Sequence, residues 1–322
     1  MIETMPLSEL TQYRGRTEIP KGFSQFWQEK LASLALPDDY QLEKKAFNLD
    51  FVDCYELRFR CEPAAEVYAK CLVPKQVKAA APVIFYFHGY QGQGPDWSEM
   101  FKFSAAGYAV VCMDVRGQSG YSTDGSGFQG NTVKGHIIRG AIQGPEHLFY
   151  TEVYLDLCRL INLVSSFAWA DETCLYTYGA SQGGALALVA AALNPKIKKA
   201  VAIYPFLSDF KRVLELGDTS EAYNELFRYF KFHDPFHETE ADLLETLSYI
   251  DVKNFAHLIQ AEVKMITGMA DDVCPPSTQF AIYNRIESKK ELKIMPEYSH
   301  EAMNVKVNDL VFNWLTNSTI TI

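Results

Sequence analysis

A doubly wound α/β sheet, mostly parallel but with antiparallel strands at its N-terminal side and one helical insertion, is the fold class that this 322-residue sequence predicts. Three observations carry it. Continuous apolar runs recur at Val83–Phe87, Tyr108–Val115, Leu175–Tyr178, Ala200–Tyr204 and Val263–Thr267, with a weaker one at Leu292–Met295. Strands buried on both faces lose the alternation that a half-buried strand shows, which is what parallel strands under helices require. Helical patterns separate these runs at Glu146–Phe167, Gly184–Leu193, Pro276–Ile286 and Glu301–Leu315, and strands alternating with helices wind such a sheet. The third observation is Cys174–Gly184, CLYTYGASQGG, where an apolar β-prone stretch meets a sharp glycine turn and then an Ala/Leu-rich helix.

Taken in order, residues 1–45 read as an N-terminal helical extension. Phe23, Phe26, Trp27, Leu31 and Leu34 recur at helical spacing, so Phe23–Leu36 is expected to be an amphipathic helix packed on the main body. Phe51–Arg60 alternates, with Phe51, Tyr55, Leu57 and Phe59 on one face, and Glu66–Pro74 is a second such run; the pair is expected to be antiparallel. Gly117–Pro145 is glycine-rich and too long for a simple connector, which marks it as a functional or interaction surface. Residues 209–260 are mostly helical between two core strands, like a cap inserted over a site. No Pro/Gly-rich linker or repeat divides the chain, so 1–322 is expected to be one domain.

Composition narrows the function. Hydrophobic residues make up 48%, and the net charge of −10 comes with no block of Lys or Arg, so neither a nucleic-acid partner nor a membrane surface is expected. The first residues, MIETMPLSEL, hold acidic side chains and no apolar core of signal-peptide length. Seven scattered cysteines without a C-x-x-C pair read as reduced thiols of a cytoplasmic protein.

The turn Gly179-Ala180-Ser181-Gln182-Gly183 is a G-x-S-x-G sequence in a strand-turn-helix context. It exposes a serine hydroxyl on a strained turn, with the positive end of a helix beneath it. A nucleophilic serine needs a base, and the base needs an acid to hold its tautomer. In this context the chain order is serine, acid, histidine, each partner past the C-terminal end of a later strand. Asp271-Asp272 follows Val263–Thr267, and His300 follows Leu292–Met295. His300 is the only histidine after Asp271 and so the best base, with Asp271 or Asp272 as the orienter. The oxyanion donors are expected to be the backbone N–H of Gln182 and, in His88-Gly89-Tyr90 after Val83–Phe87, that of Tyr90. His88 itself reads as a buried structural histidine. Tyr204, Pro205 and Phe206 follow a strand and would either narrow the acyl pocket or belong to the core. The pair His233/His237 is interrupted by Pro235 and shows no carboxylate or cysteine partner, and no phosphate-binding loop occurs. Neither a metal nor a cofactor is expected.

With these residues in place, the chain resembles the acetyl xylan esterase/cephalosporin C deacetylase family (carbohydrate esterase family 7). The matching pieces are His88-Gly-Tyr90, Asp114-Val-Arg116-Gly117-Gln118, Gly135-His136-Ile-Ile-Arg139-Gly140, Gly179-Ala-Ser181-Gln182-Gly183, Tyr249-Ile-Asp251-Val, Asp271-Asp272-Val-Cys-Pro-Pro-Ser-Thr and His300-Glu301. The resemblance implies an α/β-hydrolase fold. The activity it implies is a serine esterase removing acetyl groups from small esters, acetylated xylo-oligosaccharides and cephalosporin C among them. It assigns nucleophile, acid and base to Ser181, Asp271 and His300, and the oxyanion amides, with substrate contact at Tyr90, to Tyr90 and Gln182. It further implies a cytoplasmic homo-hexamer in which Gly117–Pro145 and the N-terminal helix take part in subunit contacts. The acidic doublet Asp271-Asp272 departs from the family's commonest pattern. A peptidase or thioesterase of the same superfamily, and a non-catalytic binding protein on the same fold, are the alternatives.

Overall fold

Nine strands form one sheet in a computed structural model of the chain. It describes residue 3 and residues 5–317 apart from 63, 78, 130–133 and 218–219, so Gly130 of the glycine-rich segment lies outside the described residues. The strands are β1 Tyr40–Lys45, β2 Val52–Cys61, β3 Ala65–Pro74, β4 Ala81–Phe87, β5 Ala109–Met113, β6 Ala170–Ala180, β7 Ile197–Ile203, β8 Glu262–Gly268 and β9 Lys290–Met295, in the order β1-β2-β3-β5-β4-β6-β7-β8-β9. From β5 to β9 every pairing is parallel, while β1 to β3 and the β3–β5 junction are antiparallel. The expected mixture is present, with its antiparallel part at the N-terminal side.

The apolar runs become strands because both faces of the sheet are covered. In β4, Val83, Phe85 and Phe87 point into one core and Ile84 into the other. The first core lies under helices Phe149–Ser165 and Gln182–Leu193 together with Phe23 and Trp27. The second lies under Trp97–Ala105 and Val307–Thr316. Helix Gln182–Leu193 has no polar face, and Ala185–Ala191 are all buried, since it runs through the centre of the molecule.

Four expectations need correction. The N-terminal extension is not helical throughout: after helices Leu7–Leu10 and Phe23–Ala32 it ends in β1, whose largely exposed, charged YQLEKK suits an edge strand. Phe51 precedes β2 and packs on the second core beside Val52 and Cys54, away from Leu57 and Phe59, because the alternation that sets Leu57 and Phe59 on one face holds only within the strand. Helix Trp97–Ala105, between β4 and β5, was not anticipated. The last helix begins at Val307 rather than Glu301, because the Glu301 carboxylate turns back to accept from the Ser299 N–H at 2.9 Å and holds residues 299–301 in a turn.

Residues 209–260 carry the helices Phe210–Leu216, Asn224–Phe232, Glu240–Ser248 and Val252–Phe255 between β7 and β8. The N-terminal segment straps across this insertion and the chain's later helices. Tyr13 donates to Asp209 Oδ2 at 2.7 Å, Asn284 donates to the Leu10 and Tyr13 carbonyls at 2.8 and 2.7 Å, and Arg285 Nε donates to the Arg14 carbonyl at 2.6 Å. Glu3 accepts from Arg212 at 2.8 Å and from the Ser277 N–H at 3.1 Å. Trp27, buried behind this strap, donates its indole N–H to the Tyr249 carbonyl at 3.0 Å. Among the described residues no helix is long and apolar enough to cross a membrane, and all seven cysteines are free.

Candidate active site

Ser181 sits between the end of β6 and helix Gln182–Leu193 with φ 56° and ψ −121°, a conformation that side chains rarely adopt. The surrounding glycines make it possible. A Cβ on Gly179 would stand 2.3 Å from the Gly183 backbone, and one on Gly183 would stand 2.0 Å from the Phe87 carbonyl oxygen. Only bare backbone fits there. The loop after β7 closes the turn from the other side, with Ser181 N–H on the Ile203 carbonyl and Phe206 N–H on the Ser181 carbonyl.

His300 Nε2 lies 3.1 Å from Ser181 Oγ, and its Nδ1 lies 3.0 and 3.2 Å from the two oxygens of Asp271. Asp271 is buried in the loop after β8 and accepts the N–H groups of Val273 at 3.0 Å and Cys274 at 2.7 Å and the Gln279 amide at 3.2 Å. The carboxylate therefore has fixed directions, and the Nδ1 side of His300 faces it as a donor. The neighbouring Asp272 is exposed and is not among the partners of His300, so the doublet divides into one buried and one solvated carboxylate. Such an array can move a proton from a serine hydroxyl to an imidazole held by a carboxylate.

Gln182 opens the helix, so its N–H has no acceptor within the helix. Tyr90 follows β4 on the loop that Gly183 packs against, and its N–H meets no backbone acceptor among the described residues. The Gln182 side chain, fully buried, joins these two places. Its Oε1 accepts from Gln118 at 2.7 Å and from the Tyr150 phenol at 2.8 Å, and its Nε2 donates to Gln118 Oε1 at 3.1 Å and reaches the His88 and Gly89 carbonyls at 3.4 Å. His88 is structural, as expected: Val115 N–H donates to its Nε2 at 2.9 Å and its Nδ1 faces the Gly89 carbonyl at 2.8 Å. Burial holds its imidazolium form down. Arg116, between these loops, forms a buried two-point pair with Asp156 at 2.6 and 2.8 Å.

A cavity of about 470 Å³ opens over the serine, lined by Ser181, His300, Tyr90, Tyr204 and, from the insertion, Glu221 and Ala222. Tyr204 stands beside His300 with ring centroids 4.5 Å apart, whereas Phe206 is core, 5.2 Å from the Tyr90 ring. The Lys134–Glu221 ion pair ties the glycine-rich segment to the insertion at this mouth. The thiol of Cys274 is also here, but burial first and the Asp271 charge second push it well up, so it is no rival nucleophile.

Sequence reasoning missed Glu225. It is buried on helix Asn224–Phe232 and accepts the Tyr90 phenol at 2.7 Å, His136 N–H at 2.9 Å and Ile138 N–H at 3.1 Å. A Cβ on Gly135 would stand 2.1 Å from its carboxylate. One side chain of the insertion thus holds both the Tyr90 loop and the Gly135–Gly140 motif. The charged surroundings of this helix give no sign of it; the unusual glycine-histidine motif was the available hint. One further correction concerns His237, which does have a carboxylate partner, Glu240 at 2.8 Å. His233 stacks near Tyr229 instead, so the two histidines do not converge.

Residues 1–318 match the acetyl xylan esterase (AXE1) family model. Acetyl esterase Axe7A of Xylanibacter ruminicola is 28% identical over 291 residues, 88% of this chain, and the chain spans 64% of that relative's length. Among solved structures, the chain is similar to acetyl xylan esterase 1 from Thermoanaerobacterium sp. JW/SL YS485. Identity is 41% and the TM-score 0.93, over 97% of this chain and 98% of that one. It is also similar to an acetyl xylan esterase from Paenibacillus sp. R4, at 30% identity and a TM-score of 0.92, over 98% and 100%. The fold is the α/β-hydrolase type.

Two outcomes are expected from this geometry. Glu225→Gln sets an amide NH₂ against either the His136 or the Ile138 N–H; steady-state kinetics should show kcat/KM roughly tenfold lower, from the loss of about 1.5 kcal/mol of hydrogen bonding, and an unchanged value would remove the link. His136 donates through Nε2 to the Gly117 carbonyl at 3.1 Å, and burial, with Arg139 second, lowers its pKa to about 4. The unfolded chain takes up that proton near its ordinary value of about 6.5. Stability is therefore lost as pH falls from about 6.5 towards 4, by at most about 3 kcal/mol. Urea midpoints across that window should flatten in His136→Gln.

Proposed function

The chain belongs to the acetyl xylan esterase family, and on that premise we propose that it is a serine esterase that removes acetyl groups from small acetylated carbohydrates through an acetyl-enzyme. The observation that carries this reading is the line Asp271–His300–Ser181, with spacings of 3.0 and 3.1 Å, ending at a cavity. Ser181 attacks the acetyl carbonyl as His300 takes its proton, and Asp271 steadies the imidazolium that forms. The oxyanion is held by the N–H groups of Tyr90 and Gln182, each contributing about 3 kcal/mol of transition-state stabilisation. The protonated His300 then gives its proton to the departing sugar alcohol, and water repeats the sequence on the acetyl-enzyme. Tyr90 also contacts the substrate. The roughly 470 Å³ cavity, narrowed by Tyr204, supports a small acyl group.

One domain with its extension 1–45 and insertion 209–260 follows from a sequence without linker or repeat, while cephalosporin C-like esters as further substrates and a hexamer in the cytoplasm follow from the family resemblance. A thioesterase or peptidase on the same fold is the rival.

Ser181→Ala is expected to lower acetyl-ester hydrolysis at least about a thousandfold; loss of less than tenfold would sink the mechanism. A panel of acetylated xylo-oligosaccharides, cephalosporin C, longer acyl esters and aminoacyl anilides is expected to favour the acetyl esters, and preference for anilides would favour the peptidase. Light scattering at micromolar concentration tests the hexamer, and a monomer there would remove it.

A further inference from the structure

Cys274, on the loop that carries Asp271, is a thiol that this mechanism leaves unused. Its side chain is fully buried, three residues past Asp271 on the same loop. Asp271, Cys274 and His300 each offer one ligand atom (a carboxylate oxygen, a sulfur and a ring nitrogen), and the three lie within 4.8 Å of one another. Sulfur, imidazole and carboxylate are the donor mix that zinc and other thiophilic divalent cations take. Around a tetrahedral zinc with bonds of about 2.0–2.3 Å, ligand atoms stand roughly 3.3–3.8 Å apart, so the cluster needs to draw in by at most about 1.5 Å. Its backbone is already fixed, because the Cys274 and Val273 amides are bonded to Asp271. The cavity reaches the cluster at His300, which lines it beside Ser181 while Asp271 and Cys274 lie buried behind, and it supplies room for a fourth ligand, water or the serine oxygen.

We infer that the loop carrying the catalytic acid forms an inhibitory site for a thiophilic divalent cation, with Cys274 Sγ, Asp271 and His300 as its ligands. On binding, the thiol proton passes to solvent and the sulfur coordinates as thiolate. His300 Nδ1 gives up its proton, Nε2 takes one up from solvent, and the freed Nδ1 lone pair goes to the cation, so the bond between His300 and Asp271 is lost. The imidazole then no longer accepts the proton of Ser181. Loss of activity rests on the esterase reading; binding does not.

The test follows Zn²⁺ in two readouts on the same protein, acetyl-ester hydrolysis and calorimetric binding. Wild type is expected to bind one Zn²⁺ per chain and lose activity at the same concentration, with recovery on adding a chelator. Cys274→Ala and Cys274→Ser, each normalised to its own metal-free rate, should need at least tenfold more Zn²⁺, while Cys174→Ala, a control at the one partly exposed cysteine, should behave as wild type. Unchanged Zn²⁺ sensitivity and stoichiometry in both Cys274 variants would overturn the site. Should those variants fail to fold, Cd²⁺ added to wild type is expected to give thiolate-to-metal charge-transfer absorption along with inhibition, and its absence would equally overturn it. Binding without any esterase activity to lose would count against the functional reading and leave the site standing.

Discussion

Everything in this molecule turns on how closely two pieces of backbone approach at the end of the sheet. Gly183 lies against the Phe87 carbonyl so tightly that a single added carbon would overlap it. β4 and β6 are hydrogen-bonded neighbours, pairing Phe87 with Gly179, so the loop after Phe87 and the turn after Gly179 emerge side by side. The contact fixes the helix that starts at Gln182 and sets Ser181 in its positive-φ conformation. It also brings the loop bearing Tyr90 next to the helix's unsatisfied amides. A side chain at Gly179 or Gly183 would push these apart and dismantle several features at once.

Steric contact alone would leave the loops free to wander. Polar side chains removed from water fix them, because a buried polar group left without a partner costs about 1–3 kcal/mol. Gln182 is the hub: through Gln118, Tyr150 and the His88 and Gly89 carbonyls it ties two loops and the helix Phe149–Ser165 to the serine turn. Arg116 and Asp156 act similarly one layer down, and a buried pair of this kind is strongly destabilising when one partner is removed. Glu225 extends the same logic to the insertion, so that the cover of the cavity and the loop beneath it share one carboxylate.

How much of this was legible in the sequence follows from which forces act locally. Val83–Phe87 and Val263–Thr267 read as parallel strands because burial on both faces writes itself into consecutive residues. Ser181, Asp271 and His300 were identifiable because fold and chemistry together demand an order and a position at strand ends. β1 escaped notice because an edge strand has little to bury, and helix Trp97–Ala105 because a short amphipathic helix leaves a weak pattern. The Asp271-Asp272 ambiguity is decided by burial, which a sequence does not display. Glu225, more than 130 residues from Tyr90, and the Gln182 hub are products of tertiary contact, and nothing next to them in the chain announces their partners.

The N-terminal strap has a consequence for how the chain reaches its final form. The carbonyls of Leu10, Tyr13 and Arg14 leave the ribosome before their partners. Asn284 and Arg285, to which they bind, follow about 270 residues later. Domains generally fold as units while synthesis proceeds from the N-terminus, but here the segment around Leu10–Arg14 waits undocked until Asn284 and Arg285 have been made. Assembly is therefore completed by a ring closure that joins segments about 270 residues apart, and that closure passes directly behind the helix following Asp271.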